Sequence, residues 1–134
     1  MVFCLLLGLA WYSAVSEAIN NPKEVEEHLA KAAEYEEKGI YVDAITEYED
    51  ALQYEPENIE ISLKMANAYL QTGSSKKFVS ICKNIAEQHP EDRSALDCMM
   101  EYYVSKKDEA SAVKYVSQFR EAYPEHEGAQ EWMI

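Results

Sequence analysis

The stretch Tyr35–Pro56, YEEKGIYVDAITEYEDALQYEP, sets a pattern that returns twice in this 134-residue chain. Proline stands at positions 56, 90 and 124, and tyrosine at 35, 69 and 103, so both residues recur every 34 positions. An acidic residue follows each of these three prolines. A fixed period of this length that contains two helical patterns indicates a repeat array, in which each unit packs on its neighbour.

Each repeat contains two segments whose apolar residues recur at helical spacing. In the first repeat, small residues such as Ala32 and Ala44 on these faces would let the two helices approach closely. Gly39 and Gly73 predict left-handed caps after the first helices, and the three periodic prolines predict the ends of the second helices. The pattern predicts helices over residues 22–38, 41–54, 58–72, 75–88, 91–105, 108–122 and 125–134.

These residues resemble the tetratricopeptide repeat (TPR) family. Repeat 1 (25–58) carries the family's order of small, aromatic, glycine and proline positions: Ala32, Tyr35, Gly39, Tyr41, Ala44, Tyr48, Ala51 and Pro56. Repeat 2 (59–92) keeps Ala66, Tyr69, Gly73 and Pro90, but has Phe78, Cys82 and Ile85 at other marks. Repeat 3 (93–126) keeps Tyr103, Ala112 and Pro124, but has Met100, Lys107, Val116 and Phe119.

The resemblance implies an all-α helix-turn-helix solenoid of about seven helices plus an N-terminal apolar helix. Its departures occur in pairs, because a large residue on one helix accompanies a small one on its partner. Repeat 2 combines Ala66 with Phe78, and repeat 3 combines Met100 with Ala112. Overpacking a core costs about 1–3 kcal/mol. We therefore expect the larger side chain on one helix of each repeat to be compensated by the smaller side chain on the other.

The resemblance also implies a binding site, because the first helix of each TPR lines a concave groove that takes an extended peptide or a helix. Carried over by position, the groove consists of Leu29, Ala33, Glu36, Glu37, Leu63, Asn67, Leu70, Gln71, Asp97, Glu101 and Val104. Acidic edges and an apolar middle suit a basic, amphipathic segment of a partner protein. Alternatively, these residues pack against a neighbouring domain or further helices.

One subset of the family grips a C-terminal carboxylate with Lys, Asn and Arg. At those positions this chain has Leu29, Ala33, Lys64, Ser94 and Cys98, so the clamp is absent apart from one misplaced lysine. The net charge of −13 is concentrated in repeat 1, where 11 acids face 2 bases, net −9. This charge argues against nucleic acid or anionic lipid as a partner. It favours a basic partner or is simply a solvated acidic face.

Residues 1–19 form an apolar leader, and residues 20–134 form the predicted TPR domain. Met1–Ser16 carries no charge. One interpretation is a truncated membrane anchor with Trp11 and Tyr12 at the interface, and this places the repeats outside the cytoplasm. The other is a cleaved signal peptide that ends near Ala14 and yields a secreted protein, but the basic n-region is absent. A buried cap helix is a third, minor interpretation.

The two ends of the repeat region carry helix signals. Asn21, Pro22 and Glu24 predict an N-cap, a first helical residue and a capping box. Residues 127–134 predict a partial capping helix, and its apolar end at Trp132–Ile134 indicates that the native chain continues. We therefore hold two hypotheses: a membrane-tethered protein-interaction module, or a stalk or spacer for a further C-terminal domain.

We find no catalytic, cofactor or metal signature and predict that the chain is not an enzyme. The three histidines are scattered, and neither a Gly-rich phosphate loop nor H-E-x-x-H is present. Cys82 and His89 are seven residues apart on one predicted helix, which is weak support for a metal site that normally needs four ligands. A Cys82–Cys98 bridge between neighbouring helices requires a geometry that spacing alone does not test.

Overall fold

The computed structural model describes residues 21–125, which form six α-helices and no strand. The helices are α1 (Pro22–Glu37), α2 (Tyr41–Tyr54), α3 (Ile59–Gln71), α4 (Ser75–Gln88), α5 (Arg93–Ser105) and α6 (Glu109–Ala122). Every bound of these six lies within two residues of its predicted position. The apolar leader and all but the first residue of the predicted helix 125–134 lie outside the described residues.

The first helices end on left-handed residues. Gly39 has φ 72° and Gly73 has φ 81°, which confirms both predicted caps. After α1, the amide of Ile40 donates to the carbonyl of Tyr35 (2.8 Å) and the amide of Gly39 to that of Glu36 (2.9 Å). These two bonds make a Schellman motif, which satisfies carbonyls that the helix end would leave unpaired.

Repeat 3 keeps this turn without the glycine. Lys107 has φ 57°, the one positive φ at a non-glycine residue among residues 21–125. The amide of Asp108 donates to Tyr103 O and that of Lys107 to Val104 O, both at 3.0 Å. At position 107 the chain therefore departs from the family pattern in its side chain alone. The backbone keeps the left-handed conformation that Gly39 and Gly73 have in the other repeats.

The second helices α2 and α4 stop two residues before a proline, as predicted. The residues that precede Pro56 and Pro90 have left the helical region, with φ and ψ near −129° and 70° at Glu55 and −128° and 72° at His89. A proline ring disfavours helical backbone at the residue before it. The end of each second helix is thus fixed by the sequence.

Side-chain caps begin α3 and α5, but not α1. Asn58 accepts from the amide of Ile61 at 3.1 Å, and Asp92 accepts from that of Ala95 at 2.8 Å. Asn21 occupies the N-cap before Pro22, but its side chain makes no cap hydrogen bond, so the predicted capping box is wrong. Its φ of −102°, against −76° at Asn58, orients the residue differently, and the Asn21 backbone carbonyl takes the first amides instead.

The chain divides into two compact units, one that ends at Gly73 and one that begins at Ser74. The first contains α1–α3, and its core is the cluster Val25, Ala32, Ala44, Ile45, Tyr48, Ala51, Ile61 and Ala68. Ala32, Ala44 and Ala51 have no exposed surface, consistent with a close approach of α1 and α2. No helix between residues 21 and 125 is long and apolar enough to cross a membrane.

The second unit contains α4–α6 around large side chains. Leu96, Met99 and Met100 of α5 are buried together with Tyr115 and Phe119 of α6. The rings of Tyr103 and Tyr115 stack with centroids 5.7 Å apart. Of the residues in the predicted volume exchange, Phe78, Met100 and Ala112 are buried here, as is Ala66 in the first unit.

Candidate functional site

The residues predicted for the groove all lie on first helices: α1 and α3 in the first unit and α5 in the second. On α1, Ala33 and Glu37 are exposed, whereas Leu29 is half-buried and packs on the core cluster. Leu29 therefore offers less apolar surface than its place in the pattern indicates. On α3, Asn67 and Gln71 are exposed, and Leu63 and Leu70 are half-buried.

Glu36 of α1 is half-buried and hydrogen-bonds to a side chain of the adjoining helix. The hydroxyl of Tyr48 on α2 donates to the Glu36 carboxylate. Burial, followed by the charge and hydrogen bond of Glu36, raises the pKa of Tyr48 to about 12. Part of the hydrogen-bonding capacity of Glu36 therefore serves the contact between α1 and α2, which leaves Glu37 as the freer anion for a ligand.

The second unit contributes Asp97, Glu101 and Val104 from α5. Asp97 is half-buried and pairs with Arg93 one turn earlier, at 3.4 Å, while Glu101 is exposed. Val104 is 47% exposed. It lines a cavity of about 380 Å³ whose other walls are Tyr103, Lys107, Asp108, Glu109, Ala112, Val113 and Val116. This unit thus presents an opening with both apolar and charged walls beside one predicted groove residue.

The positions where a carboxylate clamp would lie have little cationic character. Lys64, the one cation among them, pairs with Glu60 of the same helix at 3.0 Å. Ala33 and Ser94 are exposed, and neither carries a charge. Cys98 stands at the remaining position on α5. A carboxylate placed against these residues would meet one lysine that already pairs with an acid.

The exposed surface of α1 is acidic. Lys23 lies 3.8 Å from Glu27, and Lys38 hydrogen-bonds to Glu34 and holds the pKa of that carboxyl below its ordinary value. Exposed pairs one helical turn apart add little stability, so their effect is mainly to neutralise charge locally. Other acids of α1, Glu26 and Glu37 among them, remain exposed to solvent.

Comparison with known proteins identifies the repeat. Residues 36–97 match the family model described as the tetratricopeptide repeat. This match supports the resemblance of the chain to the TPR family. No curated protein matches the sequence. The match spans the second helix of repeat 1, all of repeat 2 and the start of repeat 3.

Two solved TPR structures resemble this chain. A complex of the TPR2AB domain of yeast Sti1 with pHSP90 has a TM-score of 0.68 and 22% identity, over 93% of this chain and 48% of that one. The first TPR of Spaghetti (RPAP3), bound to the HSP90 peptide SRMEEVD, has a TM-score of 0.65 and 18% identity, over 85% and 90%. The chain thus spans about half of the Sti1 structure. At these identities the likeness establishes the fold.

A cluster on the first TPR escaped the sequence analysis. His28 Nδ1 lies 2.7 Å from Glu47 Oε2, and the ligand atoms of His28, Glu47 and Asp50 all lie within 4.8 Å of one another. The ring of His28 also stacks on that of Tyr54, with centroids 6.1 Å apart. His28 and Glu47 are 19 residues apart on different helices, so no local motif links them. These are ligand types that bind divalent cations, but they number three.

The second unit contains a pair of cysteines in close contact. Cys82 Sγ on α4 lies 3.1 Å from Cys98 Sγ on α5. Cys82 is wholly buried, as expected for a residue at a TPR core position, and Cys98 is half-buried. The distance between the two sulfur atoms is the geometry that their spacing in the sequence does not give.

Proposed function

We propose that this TPR chain is a protein-interaction module that binds a peptide or helix of a partner on the exposed faces of its first helices. The observation that carries the proposal is the distribution of Ala33, Glu37, Asn67 and Glu101, which are exposed on α1, α3 and α5. The match of residues 36–97 to the tetratricopeptide repeat supports it, as do the titles of the two similar structures, which describe a complex and a bound peptide.

The ligand that fits these faces best is a basic, amphipathic segment. The Spaghetti domain binds SRMEEVD, a peptide with three acidic residues. Here the clamp positions hold Leu29, Ala33, Ser94 and Cys98 beside a lysine paired with Glu60, and repeat 1 has net charge −9. Charge complementarity therefore favours a positively charged ligand here, with lysines or arginines on one face.

Membrane tethering is a further part of the proposal and is supported by the sequence alone. The uncharged run Met1–Ser16 contains Trp11 and Tyr12 near its C-terminal end, aromatic residues of the kind that collect at membrane interfaces. Tethered by this run, the repeats would lie outside the cytoplasm; a cleaved leader would instead give a secreted protein.

The alternative function is a stalk or spacer within a larger protein. The exposed side chains of Val104 (47%) and Val113 (62%) favour it, because a surface of this kind can be covered by further helices. The two functions differ in whether the first-helix faces bind a free peptide.

Selection from a random peptide library, displayed on phage, tests the interaction directly. The full chain should enrich peptides that form an amphipathic helix, with Leu or Ile every three or four residues on one face and Lys or Arg on the other. Binding of a selected peptide should then be measured by fluorescence anisotropy against the variant Glu37→Lys/Glu101→Lys. We expect a loss of at least about tenfold, since each charge reversal places like charges together.

The matched control is Glu57→Lys/Glu121→Lys, which makes the same change of charge at exposed acids outside the predicted groove. Equal loss in both double variants would mean that overall charge alone governs binding. Enrichment of acidic peptides, or the absence of any enriched peptide, would refute the proposal and favour the spacer.

A further inference from the structure

The thiols of Cys82 and Cys98 lie 3.1 Å apart across the contact between α4 and α5. We propose that these two cysteines form a reversible intramolecular disulfide, which would link the second helix of repeat 2 to the first helix of repeat 3. Such a bond goes beyond ligand binding, because it would fix covalently a junction between successive repeats.

The geometry needs only a small adjustment. A disulfide has an S–S distance of roughly 2.05 Å, so the sulfur atoms must approach by about 1 Å. Leu96 and Met99 flank Cys98 on α5 and are fully buried. These contacts hold α5 against its neighbours, so the sulfur atoms can approach by rotation of the cysteine side chains. The third cysteine, Cys4, lies outside the described residues.

The environments of the two thiols assign their roles. The hydrogen bond from Cys82 lowers the pKa of the Cys98 thiol, whereas the hydrogen bond to Cys98, followed by burial, raises the pKa of the Cys82 thiol. Cys98 is also the more accessible, because Cys82 has no exposed surface. Since the thiolate is the attacking species, Cys98 reacts first and Cys82 resolves.

The oxidant is a small-molecule disulfide. The Cys98 thiolate attacks one of its sulfurs, which forms a mixed disulfide and releases one thiol. Cys82 then loses its proton and attacks Cys98 Sγ, which forms the Cys82–Cys98 bond and releases the second thiol. Two cysteine thiols are oxidised, one external disulfide is reduced to two thiols, and the two protons end on those thiols.

The acids beside Cys98 make the first step selective for the charge of the oxidant. The hydrogen bond from Cys82 lowers the pKa of the Cys98 thiol, and the negative charges of Glu101 and Asp97 offset part of that lowering. Their charges repel anionic reagents and attract cationic ones. We therefore expect the cationic disulfide cystamine to react about tenfold faster than anionic glutathione disulfide, and Glu101→Gln to reduce this ratio.

The test uses the full chain with Cys4→Ser, so that Cys82 and Cys98 are its two cysteines. The chain is treated with excess cystamine and then alkylated with iodoacetamide under denaturing conditions. Its mass is measured by intact mass spectrometry. We expect a chain that is lighter by two hydrogen atoms and carries neither an alkyl group nor a cystamine adduct. Its melting temperature should exceed that of the reduced chain by about 10 °C, because the bond closes a loop of roughly 15 residues in the unfolded state.

Single-cysteine variants separate the two roles. With Cys82→Ala, Cys98 should retain a stable cystamine adduct and show no comparable gain in melting temperature. With Cys98→Ala, Cys82 should remain unmodified in the folded chain and be alkylated after unfolding. Two adducts on the parent chain, or two alkylatable thiols after exhaustive oxidation, would overturn the proposal.

Discussion

The left-handed position after each first helix allows a quantitative test of the fold, because three repeats occupy it with two residue types. Gly39 and Gly73 have positive φ, and so does Lys107. A Cβ added at either glycine would meet no atom within 4 Å. A substitution there therefore changes backbone strain and little else. Lys107 is exposed, so its replacement removes no buried contact.

The magnitude follows from two opposing effects. A left-handed conformation costs an L-residue about 1–2 kcal/mol, whereas replacing glycine by alanine stabilises by about 0.4–1 kcal/mol through the unfolded chain. The difference predicts that Gly39→Ala lowers the free energy of unfolding by about 1 kcal/mol. Lys107→Gly should raise it by a similar amount.

Urea unfolding followed by far-UV circular dichroism measures both changes. Lys107→Ala is the control, because it keeps the strained backbone and removes the lysine side chain. It should fall within about 0.5 kcal/mol of the parent chain. If Lys107→Gly is no more stable than Lys107→Ala, the account of this turn is wrong.

Three further predictions concern the first unit. Tyr48 has a pKa of about 12 against an ordinary value of 10.0. The stability that its protonated form contributes to folding is therefore fully present below pH 10 and is lost as the pH rises through 12. In urea melts at a series of pH values, Tyr48→Phe should lose less stability at alkaline pH than the parent chain. Sodium chloride should raise the melting temperature because it screens the acids of repeat 1, and a melt indifferent to salt would mean that these acids are already paired or dispersed. Equimolar Zn²⁺ should leave the melting temperature unchanged, because His28 Nδ1 is engaged with Glu47 Oε2 at 2.7 Å and the set offers one imidazole, where three-ligand zinc sites use at least two histidine or cysteine ligands. A rise that His28→Ala abolishes would identify a metal site instead.

Local signals determined how much of the fold was predictable. The helix bounds followed from the 34-residue period and from residues with strong backbone preferences, such as Gly39 and Pro56. Lys107 was not recognised as left-handed, because its side chain does not require that conformation and only its place in the repeat suggests it. The Asn21 cap failed because capping depends on backbone angles that residue type does not determine.

The candidate site was predictable only as far as its position on the helices. Repeat register placed Glu37 and Glu101 on first helices, where the structure exposes them. It did not anticipate that Tyr48 donates to Glu36, since this contact depends on how α1 packs on α2. The His28–Glu47 contact was likewise invisible to local spacing, because the two residues meet only after their helices pair.

The most direct test of the proposed interaction is amide NMR of the full chain, titrated with a basic, amphipathic peptide recovered by the selection above. The account predicts shift changes concentrated on the exposed residues of α1, α3 and α5, including Ala33, Asn67 and Glu101. Changes confined to α2, α4 and α6 would contradict it, because the partner would then bind the second helices of the repeats.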